Sequence, residues 1–294
     1  MIKRLSLGIA LGGGGARGAA HIGVLQELSN AEIEIDTISG VSAGAVIAAM
    51  YAYSKDPFWI ENKFRKLLDQ QDYKSSLSFF FSDSKTKSFY TKIKTGIIDH
   101  VLALMALHKD SFINRKQLLE KIKKLITVTS FEELKIPLKI IVTDLSNGVD
   151  IVYSSGNLID ILVQSCSIPG VISPTFTGEK IIVDGGVGMP IPVSVLKKEC
   201  DFSIAIDIGL HELKSLDYSN AKSIARRANI ITSNRLKKFL SEQADYVIRP
   251  DTLGKNWSDF QYCDELLNQG KIAAKNSIDD LKKKIEEKKQ ILSV

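Results

Sequence analysis

The feature that most constrains this chain is the pentapeptide Gly40-Val41-Ser42-Ala43-Gly44, which joins a short apolar run at residues 33–38 to a stretch at 45–53 that is apolar on every side. A helix with no polar face is buried all round, so a sharp strand-to-helix turn at Ser42 sits deep in a layered structure. The spacing has a steric reason. A nucleophile on such a turn has strained backbone angles, and the residues two before and two after press against neighbouring backbone, so Gly40 and Gly44 tolerate no Cβ. Ser42 would also stand at a helix N-terminus, where the dipole favours developing negative charge. The same five residues also suit a plain glycine-rich turn with a capping serine.

Around this turn the apolar residues fall into strand and helix periods. Strand-like runs occupy residues 5–11, 33–38, 138–142, 150–153, 181–183, 203–208 and 246–248. Helical spacing marks 19–28, 45–53, 158–165, 221–240 and about 263–289. Residues 56–125 are helical in pattern and include Phe79-Phe80-Phe81 and an apolar helix at 97–107. Continuous apolar strands alternating with helices predict an α/β fold whose mostly parallel sheet is covered on both faces. No linker interrupts the pattern. We expect one domain over residues 1–294, with the motifs in a core at about 5–210, a lid or variable insertion at about 74–112, and a helical C-terminal part at 211–294.

Two further segments carry chemistry. Gly12-Gly13-Gly14-Gly15-Ala16-Arg17-Gly18 exposes backbone N–H groups with no side chains in the way, and such a nest binds anions, an oxyanion among them. Gly13-x-Gly15-x-x-Gly18 is also a formal dinucleotide fingerprint, with Asp36 at about the right distance for a ribose. A phosphate-binding P-loop is excluded because no Lys-Ser or Lys-Thr follows the glycines. Asp184-Gly185-Gly186 places a carboxylate at the end of a short strand; alone it reads equally as a turn. In a parallel sheet the strand C-termini share one edge, which predicts that the glycine loop, Ser42 and Asp184 meet there.

Composition narrows the remaining classes. The net charge of +5 comes from scattered lysines that alternate with acids near residues 279–287, a solvated helix face with no aromatic-interleaved basic motif for nucleic acid. It leaves room for peripheral contact with an anionic membrane surface. Cys166, Cys200 and Cys263 are odd in number and widely spaced, so they form neither a zinc site nor a disulfide framework and point to a cytoplasmic protein. Cys166 reads as a small buried residue. Lys3 and Arg4 before residues 5–11 imitate a secretory leader, but the run is short and enters the glycine loop directly, so no cleavage is expected. Residues 37–54 and 161–178 approach transmembrane length yet read as core. Of the histidines, His211 follows Ser42 and Asp184 in the chain order of a triad, and His21 reads as a packed or hydrogen-bonded helix residue.

The segments GGGGARGAAHIGVL, ISGVSAGAVIAAMYA, QSCSIPGVISP and VDGGVGMPIPV, with ADYVIRPDTLGKNWSDF further on, together resemble the patatin-like phospholipase family, in particular the small bacterial proteins related to the neuropathy target esterase catalytic domain. The resemblance covers nearly the whole chain, most loosely at about 74–112. It implies a three-layer α/β/α fold and a serine acyl hydrolase acting on fatty-acyl esters with no metal or other cofactor. By position, Ser42 matches the nucleophile and Asp184 the base. The amides of Gly13, Gly14 and Gly15 match the oxyanion hole, with Gly14 and Gly15 foremost, and Arg17 matches the arginine that anchors the loop. An unperturbed aspartate has a pKa near 3.9 and is a weak base for a hydroxyl proton, so burial is expected to raise the Asp184 pKa.

Overall fold

The computed structural model describes residues 4–68, 115–210, 213 and 221–292. The expected lid at 74–112, with Phe79-Phe80-Phe81 and the run at 97–107, lies outside these residues, as does His211.

Eight strands form one mixed sheet. They are β1 (Leu7–Leu11), β2 (Thr37–Val41), β3 (Leu138–Asp144), β4 (Val149–Tyr153), β5 (Thr175–Thr177), β6 (Lys180–Asp184), β7 (Phe202–Ile206) and β8 (Tyr246–Ile248). The pairs β1–β2, β2–β3, β1–β7 and β7–β8 are parallel, whereas β4 and β6 run antiparallel to β3, and β5 antiparallel to β6. The mostly parallel, doubly covered sheet expected from the sequence is therefore present. One detail differs: Asp184 arrives on an antiparallel strand and does not share the C-terminal edge of a parallel set.

The register of β3 shows how it nonetheless reaches Ser42. Val142 pairs with both Ile151 of β4 and Asp184 of β6, so these strands lie on opposite edges of β3. Ile140 pairs with both Gly40 of β2 and Tyr153 of β4, so β2 and β4 are also on opposite edges. Hence β2 and β6 share one edge and point at each other. Val41 ends opposite Ile141, and Asp184 ends opposite the next residue, Val142.

The helices are α1 (Ala19–Asn30), α2 (Ala43–Ser54), α3 (Pro57–Leu68), α4 (Arg115–Leu125), α5 (Leu158–Ser165), α6 (Ala221–Ser241) and α7 (Cys263–Leu292) among the described residues. Strand alternation sorts the core. Ile9, Leu11, Ile38, Leu138, Ile140, Ile204 and Ile206 pack with α1, α2, α5 and α7 on one face. The opposite face carries Ala10 and Ala205, which pack on Ile191, Val193 and Leu196 with Leu240 of α6 behind. Small residues let that covering segment lie close: a Cβ at Gly8 would meet the Cys200 sulfur at 2.6 Å, and Ser39 Oγ donates to the Pro192 carbonyl at 2.8 Å. The result is three layers. No helix among the described residues is long and apolar enough to cross a membrane.

Two elements depart from the apolar pattern. The second strand begins at Thr37 because Ile33 and Ile35 are buried in the connection out of α1, where Glu32 turns with φ +58°. The short β5 carries too few apolar residues to be read from sequence.

Helices α1 and α7 cross through a pair of glycines. A Cβ at Gly23 would sit 2.1 Å from the Leu267 carbonyl oxygen, and one at Gly270 would sit 2.0 Å from that of Ala20. Backbone cannot yield at those distances, so Gly270→Val must push the helices apart. Overpacking of this kind costs about 1–3 kcal/mol or more. Urea unfolding of the variant is expected to show at least that loss, and an unchanged midpoint would contradict the crossing.

Candidate active site

Ser42 lies between β2 and α2 with φ 56° and ψ −128°, a conformation that costs a non-glycine residue about 1–3 kcal/mol. The surroundings hold it there. Ser42 N–H donates to Ser165 Oγ at 2.9 Å, and Ser165 Oγ donates to the Ile141 carbonyl at 2.8 Å, which ties the turn to β3 through the last residue of α5. The flanking glycines meet backbone, as expected. A Cβ at Gly40 would approach the Gly44 carbonyl oxygen at 2.6 Å, and one at Gly44 would approach that of Leu11 at 2.3 Å.

Asp184 is buried at the end of β6. Its N–H donates to the Ser167 carbonyl at 2.9 Å, and its Oδ1 accepts the Gly186 N–H at 2.7 Å. Gly185 is required because a Cβ would lie 2.4 Å from the Ile141 carbonyl oxygen, at the point where β6 closes on the end of β2. Ser42 and Asp184 line the same cavity, near enough for the Ser42 hydroxyl to act on the carboxylate. Burial raises the Asp184 pKa to about 6, against the opposing pull of the Ser42 hydroxyl, the Gly186 amide and the Lys237 charge.

The glycine loop runs from β1 through a tight helical turn, Gly15–Gly18, into α1. Its amides divide into two sets. Gly12 N–H donates to Ile206, Gly13 N–H to Pro190 at 3.0 Å, Ala16 N–H to Trp257 at 2.7 Å and Arg17 N–H to Gly14. The N–H groups of Gly14 and Gly15 have no partner among the described residues. Gly13, expected among the oxyanion donors, has its N–H committed to Pro190, and its carbonyl accepts Lys237 Nζ at 3.2 Å. Gly15 has φ +57°, and a Cβ there would meet the Trp257 carbonyl oxygen at 2.2 Å, so the loop is pinned by a residue of the C-terminal part. Gly18 allows the loop to lie on α2, where its Cβ would be 3.0 Å from that of Ala43.

Arg17 is buried and its Nε donates to the Gly14 carbonyl at 3.3 Å, in keeping with an anchor. Burial lowers its pKa to about 10, with Asp207 and Asp259 opposing. His21 is fully buried, and its Nε2 donates to the Gly12 carbonyl at 2.7 Å. Burial drops its pKa to about 4, so it stays neutral and belongs to the loop's support, away from the Ser42–Asp184 pair. Cys166 is buried beside Ser42, and desolvation pushes its thiol well above the usual range, which disqualifies it as a nucleophile. Asp36 accepts the Leu7 N–H at 2.8 Å and pairs with Arg4 at the start of β1, the opposite end of the strand from the glycine loop. It stands away from any ribose that the loop would present.

Two cavities meet at Ser42, and both also touch Gly15, Ile168 and Trp257. One is apolar, walled by Val46, Ile47, Phe64, Leu118, Ile122 and Ile172 among others. The second is polar and includes Arg17, Asp184, Ser233 and Lys237. Ile168 and Pro169, in the segment after Cys166, line this second cavity. Sequence reasoning missed Ser165, Lys237 and Trp257. Ser165 belongs to an apolar segment whose pattern reads as core, whereas Lys237 carries no local signal and is one lysine among many.

The model of the family described as patatin-like phospholipase matches residues 9–197. An NTE family protein of Mycobacterium tuberculosis is 29% identical over 67% of this chain, and neuropathy target esterase sws of Drosophila melanogaster is 28% identical over 69% of it. The chain spans only 29% and 13% of the length of those two relatives. Among solved structures, VipD from Legionella pneumophila superposes with a TM-score of 0.50 and 16% identity, over 95% of this chain and 67% of that one, a likeness of fold. The strained serine, the carboxylate facing it and the glycine loop thus occur inside the matched stretch, and the chain belongs to the patatin-like phospholipase family.

Proposed function

We propose that this chain is a serine acyl hydrolase that cleaves fatty-acyl esters of the lysophospholipase or phospholipase A kind with a Ser42–Asp184 dyad. The observation that carries the reading is a strained serine and a buried carboxylate, its pKa near 6, lining one cavity with two amides that are unengaged among the described residues. Ser42 Oγ attacks the acyl carbonyl carbon, the carbonyl electron pair moves onto its oxygen, and Asp184 takes the hydroxyl proton. The Gly14 and Gly15 N–H groups hold the oxyanion. Collapse of the tetrahedral intermediate breaks the ester bond, and the alcohol leaves with the proton from Asp184. Asp184 then takes a proton from water, which attacks the acyl carbon; the acyl–Oγ bond breaks, the fatty acid leaves, and Asp184 returns the proton to Ser42 Oγ. The apolar cavity suits the acyl chain, and the polar one suits the leaving alcohol with its head group. The esterase named among the relatives supports the ester substrate. Lipid substrates bring the protein to a membrane surface as a peripheral visitor.

A fluorophosphonate probe is expected to label the wild type and leave Ser42→Ala unlabelled; labelling of both, or of neither, would refute the reading. Asp184→Asn is expected to lower kcat on a short-chain nitrophenyl ester by about a thousandfold or more, an amount in line with loss of a positioned base together with its orienting role.

The base must be ionised, so activity rises with pH through about 6 and levels off above it. A pH–rate profile for kcat/KM lacking an acidic limb near that value would argue against Asp184. Stability runs the other way. A carboxyl whose folded pKa exceeds its unfolded value stabilises the native state below about 4 and loses that contribution as pH rises through about 6. Asp184→Asn, which mimics the neutral form, is therefore expected to be more stable than the wild type at pH 8 by something on the order of 1–3 kcal/mol. The difference should vanish near pH 4, and denaturant melts at the two pH values measure it.

Ser165→Ala removes the acceptor for the Ser42 N–H at a buried site. Leaving such a donor unmet costs about 1–3 kcal/mol. Both unfolding free energy and the probe-labelling rate are expected to fall, and a variant with full labelling rate would show that the turn holds without Ser165.

A further inference from the structure

A peptide group is planar and trans, so its carbonyl and its N–H point in opposite directions. Whatever grips the Gly13 carbonyl therefore decides where the Gly14 N–H points. Three consecutive carbonyls of the loop meet side-chain nitrogens: Gly12 receives His21 Nε2 at 2.7 Å, Gly13 receives Lys237 Nζ at 3.2 Å, and Gly14 receives Arg17 Nε at 3.3 Å. At the other ends of these peptides, Gly13 N–H goes to Pro190, while the Gly14 and Gly15 N–H groups remain open among the described residues.

The second of these peptides is the critical one. All three peptides have glycine on both sides and little steric restraint on rotation, but Gly12–Gly13 is held at both ends, by His21 and Pro190, and the Gly14 carbonyl grip by Arg17 comes from within the same turn. Lys237 instead reaches in from α6, beyond residues 9–197 that the family model matches. It is buried, and a buried ammonium is costly unless it is hydrogen-bonded and compensated. Asp207 and Asp184 supply the compensation against the like charge of Arg17.

We propose that Lys237 is a positioning residue of the acyl-transfer site, holding the Gly13 carbonyl so that the Gly14 N–H faces the oxygen that turns negative when Ser42 attacks. This rests on the hydrolase reading above. Lys237 takes and gives no proton in the cycle; its contribution is the orientation of one donor.

The test uses the full chain, p-nitrophenyl butyrate turnover, and crystal structures of two variants. Lys237→Met fills the same space without a donor. Its kcat is expected to fall about 100-fold, the effect of losing one oxyanion donor, with KM changed less than about threefold and the Gly13–Gly14 peptide turned away from Ser42. Lys237→Gln keeps a donor without the charge, and is expected to hold the peptide in place and recover at least a tenth of wild-type kcat. A purely structural role would lower stability in both variants and would not be rescued by Gln. A Met variant with the peptide unmoved and kcat within threefold of wild type overturns the proposal. If the Met variant does not fold, a Gln variant with the peptide turned, or with kcat below a tenth of wild type, overturns it as well. A wild type that turns over no ester and takes up no fluorophosphonate sinks the hydrolase reading, while the peptide orientation in the two variants still decides the role of Lys237.

Discussion

The arrangement depends on two strands sharing a single edge of β3 and stopping one residue apart. Val41 ends opposite Ile141 and Asp184 opposite Val142, so one strand delivers Ser42 from below and the other delivers a carboxylate from above. The join is tight enough that Gly185 lies almost on the Ile141 carbonyl, and the same carbonyl accepts Ser165 Oγ. A slip of one residue in either register would turn the side chain to the other face of the sheet, and the pair would part. The strained serine is therefore a product of strand pairing, with Ser165 as its local brace.

Much of this was legible in the residues because backbone crowding writes itself as glycine. Gly40 and Gly44 could be read as close approaches, and a Cβ added at either would come within 2.6 Å of a carbonyl oxygen. The strands at Leu7–Leu11, Leu138–Asp144 and Phe202–Ile206 were visible as apolar runs because both faces of the sheet are covered. Strand direction was hidden. Lys180–Asp184 is a five-residue strand whose composition says nothing about whether it runs with or against its neighbour. The division of labour among the glycine amides was hidden too, since it is fixed by Pro190 and Trp257, far away in sequence. The formal dinucleotide reading was already weak in the sequence, where Asp36 precedes the end of its strand and the Ser42 turn follows, and the bond from Leu7 N–H to Asp36 adds that its carboxylate is engaged at the start of β1.

Behind the loop lies a buried group of charges that no short motif announces. Asp207 stands close enough to act on Arg17, Lys237 and the neutral His21, and Arg17 acts on Lys237. Burial pushes Lys237 down to about 8 and Asp184 up to about 6, which brings an acid and a base toward each other across neutral pH. The Lys237 charge opposes the rise at Asp184 and limits how far desolvation raises it. An ionised carboxylate at neutral pH is thus compatible with the burial of Asp184.

The Trp257 carbonyl, seated against Gly15 and bonded to Ala16, has a consequence for how such chains are to be trimmed or compared. A fragment ending near residue 197 would contain every residue of the matched stretch and still lack the struts that shape its glycine loop. The final third of the chain thereby sets the conformation of a loop that belongs to the first.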